Sequence, residues 1–146
     1  MLLVYHHLGD SAATLRECAR VIGPGGAVLI INSTVEILDS LVWLPLFPTA
    51  RRIDLDRLPS RAALVRTARD VGLAVRRHRT EMNPVARDLR TFADRLASRT
   101  ISTLQLVSDA EFVRGMAEFR RYCEGEDRGQ VIEQAIDVFV LGAVSP

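Results

Sequence analysis

Tyr5-His6-His7-Leu8-Gly9-Asp10 leads into Arg16-Glu17-Cys18-Ala19-Arg20-Val21-Ile22-Gly23-Pro24-Gly25-Gly26-Ala27-Val28-Leu29-Ile30-Ile31. The residues before His6 are β-prone. Asp10 or Ser11 can cap a helix, because a short side-chain oxygen accepts from the free N–H groups of a first turn. Leu15, Cys18, Ala19 and Ile22 then recur at the spacing of one helical face. Gly23 permits a left-handed C-terminal cap and Pro24 prevents continuation. Ala27 to Ile31 is an unbroken apolar run, which suits a parallel strand covered on both faces. Asn32-Ser33-Thr34 ends it. A strand stub, a helix and a second strand in this order predict an α/β fold.

The rest of the chain extends that order. A short apolar helix reaching Leu44 is expected in residues 35–58, because Pro45 and Pro48 stop it there. Ser60 opens a helix with Leu64, Val65, Ala68 and Val71 inward and Gly72 at its end. Leu73 to Thr80 reads as a strand, and Arg76, Arg77, His78 and Arg79 make it an edge strand. Asn83-Pro84 reads as a cap followed by proline at the first helical position. Val85, Leu89, Phe92 and Leu96 mark the helix that follows. Ser108-Asp109-Ala110-Glu111 has capping-box spacing, opening a helix with Phe112, Met116 and Phe119. Glu124 to Gln130 reads as a charged loop, and Ile136 to Val144 as a last apolar strand. No internal repeat or low-complexity tract interrupts the 146 residues.

The His-His-Leu loop, the helix ending in Arg-Val-Ile-Gly-Pro-Gly-Gly and the apolar strand after it resemble the middle of a class I S-adenosylmethionine-dependent methyltransferase. There such a loop follows the fourth strand and such a helix precedes the fifth. The resemblance implies a Rossmann-like sheet with strands ordered 4-5-7-6, the last strand antiparallel, and a helical insertion before the final strand. It implies a partial methyltransferase domain over residues 1–146, with 83–130 as a helical cover over the substrate. The implied function is methyl transfer from S-adenosylmethionine to a small-molecule acceptor, as part of a complete fold. The alternative is a non-catalytic remnant or partner subunit that binds another chain through its open sheet edge. The family's glycine-rich loop and the acidic residue ending a second strand are not in these 146 residues. The expectation is therefore a mis-assigned start, a split gene or a truncated one. The isolated chain should bind the cofactor weakly. It should also self-associate or pair with a missing N-terminal half.

Composition excludes several other classes. Apolar residues make up 48% of the chain, enough for a core, and the net charge is +1. A nucleic-acid module would show a clustered basic excess. All 19 basic residues are arginine, scattered through helical segments, which reads as codon bias. Cys18 and Cys123 lie far apart with no C-x-x-C, so neither a metal site nor a disulfide framework is indicated. Val35 to Phe47 is apolar but too short to span a bilayer. No signal peptide is evident, and a cytoplasmic setting follows by default.

Candidate chemistry gathers past the strand ends, where ligands sit in open α/β sheets. His6 and His7 lie there, and a neutral imidazole can take a proton from an oxygen or nitrogen nucleophile. Packing under the following helix is the competing role. A metal is disfavoured because adjacent histidines point differently and no third ligand is near. By resemblance, Leu2 and Leu3 pass the methionine part of the cofactor through backbone and shape. Asn32, Ser33 and Thr34 can face a substrate or simply end a strand. Trp43 and Phe47, with Leu41 and Leu44, line an apolar substrate pocket or pack a loop onto the core.

Overall fold

The computed structural model describes residues 1–23, 25–126 and 129–144. Pro24, expected to stop the first helix, and Asp127 and Arg128 of the expected charged loop lie outside them. The described residues form two compact units. Unit 1 comprises Met1–Ile37, Leu58–Glu81 and Ala135–Pro146; unit 2 comprises Leu38–Arg57 and Met82–Gln134.

The first helix, α1, spans Ser11–Val21 in unit 1. Asp10 is its cap, its carboxylate accepting from the Ala13 N–H at 2.8 Å. Gly23 follows in the left-handed region with φ of 60°. Strand β1 then spans Ala27–Asn32. The helix α3, Arg61–Asp70, starts where Ser60 Oγ accepts from the Ala63 N–H. The Arg61 N–H in turn donates to both carboxylate oxygens of Glu36. Gly72, at φ 80°, turns the chain into β2, Leu73–Ala86. Strand β3 spans Ile132–Ala143. The sheet order is β1-β3-β2, so the arginine-rich strand is at an edge and the last strand is central.

Register decides what this sheet buries. β3 runs antiparallel to β1, pairing Val28 with Leu141, Ile30 with Phe139 and Asn32 with Asp137. These six residues are all buried. Val28, Ile30, Phe139 and Leu141 pack with Tyr5, Leu15, Leu64, Ala68 and Leu73 as the core of unit 1. The alternate pairs, Leu29 with Val140 and Ile31 with Val138, point to the opposite face, as period-two geometry requires. Leu29 there is 46% exposed. The expected two-sided burial of Ala27 to Ile31 is thus replaced by alternation, because α1 and α3 serve one face only.

The other edge of β1 is also occupied. The Ile31 N–H donates to the Met1 carbonyl and the Leu3 N–H donates to the Ile31 carbonyl. Leu2 and Ile31 form a parallel bridge. A strand residue points its N–H and C=O to one side, so the Met1–Leu3 segment lies on the edge of β1 away from β3. Leu3 then takes φ 53°, uncommon for a leucine, and the chain enters a 3₁₀ turn at Tyr5–His7.

Unit 2 departs more from expectation. The apolar stretch around Pro45 forms 3₁₀ turns instead of one helix, Val35–Ser40, which begins in unit 1, and Leu44–Leu46. Pro48 then opens an α-helix, α2, Pro48–Arg57, because proline suits a first turn whose N–H groups lack partners. Asn83 and Pro84 do not start a helix. β2 runs through them to Ala86, and α4 spans Leu89–Ala97 with Asp88 as its cap. The Asp88 carboxylate accepts from the Thr91 N–H at 2.6 Å. The last helix, α5, spans Asp109–Glu126. Ser108 Oγ accepts from the Glu111 N–H, but the Glu111 carboxylate serves the Thr49 N–H, so only half the capping box forms. The core of this unit holds Trp43, Phe47, Phe92, Leu96, Met116 and Phe119.

Candidate functional site

The polar residues of unit 1 converge at the end of β1. Asn32, last in the strand, faces the core side opposite Asp137. Its Nδ2 donates to the Ser33 carbonyl at 2.7 Å. That leaves Oδ1 toward His6 Nδ1, 3.1 Å away. An amide oxygen can only accept, so Nδ1 carries the proton, and in a neutral His6 ring Nε2 is the basic nitrogen. The His6 and His7 rings lie side by side, centroids 4.1 Å apart and tilted by 44°. The expected divergence of the two histidines is corrected here: the tight 3₁₀ turn keeps their rings together. His7 is the more exposed of the two.

A second group, which sequence reading missed, sits beside the first. Asp137 is fully buried. It accepts from Thr34 Oγ1 at 2.6 Å, from Thr80 Oγ1 at 2.7 Å and from His78 Nε2 at 2.9 Å. Arg61 closes on it as a fork, Nε to Oδ2 at 2.9 Å and Nη2 to Oδ1 at 3.1 Å. Burial pushes this carboxyl up, yet the bonds from Arg61, Thr34, Thr80 and His78 together outweigh it, leaving a pKa of about 2. Asp137 in turn holds Arg61 above its ordinary value, through the hydrogen bond first and against desolvation. The His78 ring stacks on Phe139, centroids 4.3 Å apart. Because the carboxylate only accepts, Nε2–H is the donor and a neutral His78 presents Nδ1 as acceptor.

These placements define what each predicted residue can do. Thr34 is buried and its hydroxyl proton is committed to Asp137, so it braces the strand end. Asn32 is buried and orients His6. Leu2 and Leu3 are 62% and 47% exposed, and the Leu3 N–H is already bound to β1. Trp43 and Phe47, in unit 2, are buried against each other at 5.9 Å in an edge-on contact. The Trp43 indole N–H has no hydrogen-bond partner among the described residues.

S-adenosylmethionine needs a backbone cradle and a carboxylate for its ribose hydroxyls. Gly25 and Gly26 do not form such a cradle. Gly25 has φ 79°, and a Cβ on Gly26 would fall 1.9 Å from the Ile22 carbonyl oxygen, so the pair makes a close helix-to-strand turn. Among the described residues no group of three or more His, Cys, Asp or Glu side chains is placed to hold a metal ion. No described helix is long and apolar enough to cross a membrane.

No protein-family model matches the chain, and no curated protein sequence matches it. Solved structures do. A cyclopropane synthase from Mycobacterium tuberculosis aligns over 96% of this chain and 53% of its own, at 14% identity and a TM-score of 0.50. A protein described as a methyltransferase from Bacillus halodurans aligns over 95% of this chain and 64% of its own, at 12% identity and a TM-score of 0.52. A protein from Galdieria sulphuraria, described as a sarcosine dimethylglycine methyltransferase, aligns over 96% and 50% respectively, at 19% identity and a TM-score of 0.48. The chain therefore spans between half and two thirds of the length of these structures. At such identities the likeness to the first two speaks for architecture alone: the chain has a class I methyltransferase-like fold.

Proposed function

We propose that this chain is the C-terminal part of an S-adenosylmethionine-dependent methyltransferase acting on a small-molecule acceptor. The observation that carries this is the parallel pairing of Met1–Leu3 with β1, which sets His6 beside Asn32 just past adjacent strand ends. That is where an open α/β sheet receives its ligands. The sulfonium donor, when bound, supplies a good leaving group. The chain's own share is to orient the acceptor and receive its proton. His7 and His6 are the residues assigned to receive that proton, the His6 ring being held by Asn32. Residues 83–130 are assigned as the helical cover insertion that the resemblance implies, and Trp43 and Phe47 as apolar residues of the same unit.

A second reading, a non-catalytic remnant or partner subunit that binds another chain through its open sheet edge, is favoured by the Met1–Leu3 segment lying outermost beside β1. One experiment separates the two. The coding sequence is read upstream in frame, and the 146-residue chain and any extended chain are titrated calorimetrically with S-adenosylmethionine. The methyltransferase reading expects an extension carrying a glycine-rich loop. The extended chain should bind at about micromolar Kd, near −8 kcal/mol, and the shorter chain far more weakly. Tight binding by the 146-residue chain would contradict the assigned division of labour. An upstream stop codon would favour the partner subunit.

A further inference from the structure

Unit 2 contains a cavity of about 240 Å³ that plays no part in the arrangement at the end of β1. Leu89 and Phe92 of α4, Tyr122 and Glu126 of α5, and Ile132 and Glu133 of β3 form much of its wall. The spacings explain the shared orientation. Leu89 and Phe92 are three apart on one helix, and Tyr122 and Glu126 are four apart on another, so each pair shares a face.

The aromatic side of the wall is held in place. Phe92 meets Phe119 edge-on at 5.9 Å and 84°, and Phe119 stacks on Tyr122 at 6.0 Å and 19°. Among the described residues lining the cavity, the charge is of one sign. Glu126 and Glu133 border it, no arginine is among the described residues lining it, and among the described residues neither carboxylate has a salt-bridge partner. Carboxylates beside aromatic faces attract a cation twice over, by charge and by the ring quadrupole. Leu89 and Ile132 offer apolar contact to the remainder of a ligand. The volume falls below the roughly 300–1,000 Å³ of sites for drug-sized molecules, so the occupant is small.

The geometry points to a binding site for a small organic ammonium ion with an apolar body, in which Glu126 and Glu133 neutralise the cation and Phe92 and Tyr122 flank it. The site stands apart from the methyl-transfer reading and holds whether or not the ligand is an acceptor. An anionic or uncharged molecule of the same shape lacks the partner that these carboxylates require.

The test uses the full 146-residue chain, isotopically labelled, and three probes of nearly one shape: phenethylammonium, 2-phenylethanol and 3-phenylpropionate. Amide shifts in NMR spectra report both affinity and location. The expected result is saturable binding of phenethylammonium that shifts residues 89–92, 122–126 and 130–134. The alcohol should bind at least about tenfold more weakly and the carboxylate weaker still. Glu126→Gln with Glu133→Gln should weaken phenethylammonium by about tenfold or more while leaving the alcohol unchanged. Equal binding of all three probes would reduce the site to an apolar hollow and overturn the proposal. So would shifts confined to other residues, or no saturation by phenethylammonium. If the double variant does not fold, the probe series on the unmodified chain decides alone.

Discussion

Asp137 shows how a single residue organises unit 1. Its carboxylate has no exposure and stays ionised because Arg61, Thr34, Thr80 and His78 surround it. A carboxyl whose folded pKa lies below its ordinary value of 3.8 contributes stability above that value and loses it as pH falls toward the folded pKa. The window here runs from about pH 5 down to about 2, from a shift to about 2. The difference corresponds to about 2 kcal/mol. Asp137→Asn should therefore lower the urea midpoint at pH 7, by about 3 kcal/mol of stability. It should also flatten the loss of stability between about pH 5 and 2. Denaturant titrations across that range are the check, and an unchanged acid slope would mean that Asp137 is not the group being protonated. This hub was not legible in the sequence. Its members come from positions 34, 61, 78, 80 and 137, and a 103-residue separation, as between Thr34 and Asp137, leaves no local spacing to read. Asn32 and His6 each stand out in the sequence, one ending a strand and one in a loop, but their hydrogen bond spans 26 residues and was not legible either.

At the scale of elements, local chemistry gave α1, α3 and the edge position of β2, where caps, glycine turns and charge each act within a few residues. It failed where two local signals competed. Asn83-Pro84 satisfies the rules for a helix start, but Asp88 caps α4 instead and β2 continues through the proline. An edge strand tolerates proline because one of its sides needs no ladder donor. Glu111 is a similar case, its carboxylate drawn from its own helix to Thr49. Gly115 shows tertiary packing overruling helix propensity. Alanine in place of a mid-helix glycine gains about 1 kcal/mol. A Cβ there, however, would stand 2.6 Å from a Phe47 ring carbon and 2.8 Å from the Leu46 carbonyl oxygen. Phe47 is fully buried and the carbonyl is backbone, so neither yields cheaply. Overpacking costs roughly 1–3 kcal/mol. Gly115→Ala should thus destabilise by up to about 2 kcal/mol net. Thermal denaturation followed by circular dichroism would show it, and a raised midpoint would mean that Phe47 has room to move.

At the scale of the whole chain, the exposed apolar residues of unit 1 decide solution behaviour. Leu2, Leu3 and Val4 are each more than two-fifths exposed, and Leu29 opens on the side of the sheet opposite the core. Among the described residues the Met1–Leu3 segment forms a bridge with β1 alone, so its other side is an edge. Such an edge recruits further strands, and a contiguous apolar patch adds a driving force of about 25 cal/mol per Å² removed from water. Covering about 400 Å² would contribute roughly 10 kcal/mol before the costs of association. Those costs are of order 4–15 kcal/mol, so the balance favours weak, concentration-dependent association over a tight dimer. Size-exclusion chromatography with light scattering should show the apparent mass rising with protein concentration. Leu29→Arg should shift that rise to higher concentration without lowering the thermal midpoint much, because its side chain already meets water. The neighbouring Ile30 is unsuited to the same test: it is fully buried, so a charge there would confound association with unfolding. A monodisperse monomer at all concentrations would show that the face around Leu29 is too small or too divided to bind another chain. The missing-half reading of the open sheet would then lose its physical motive.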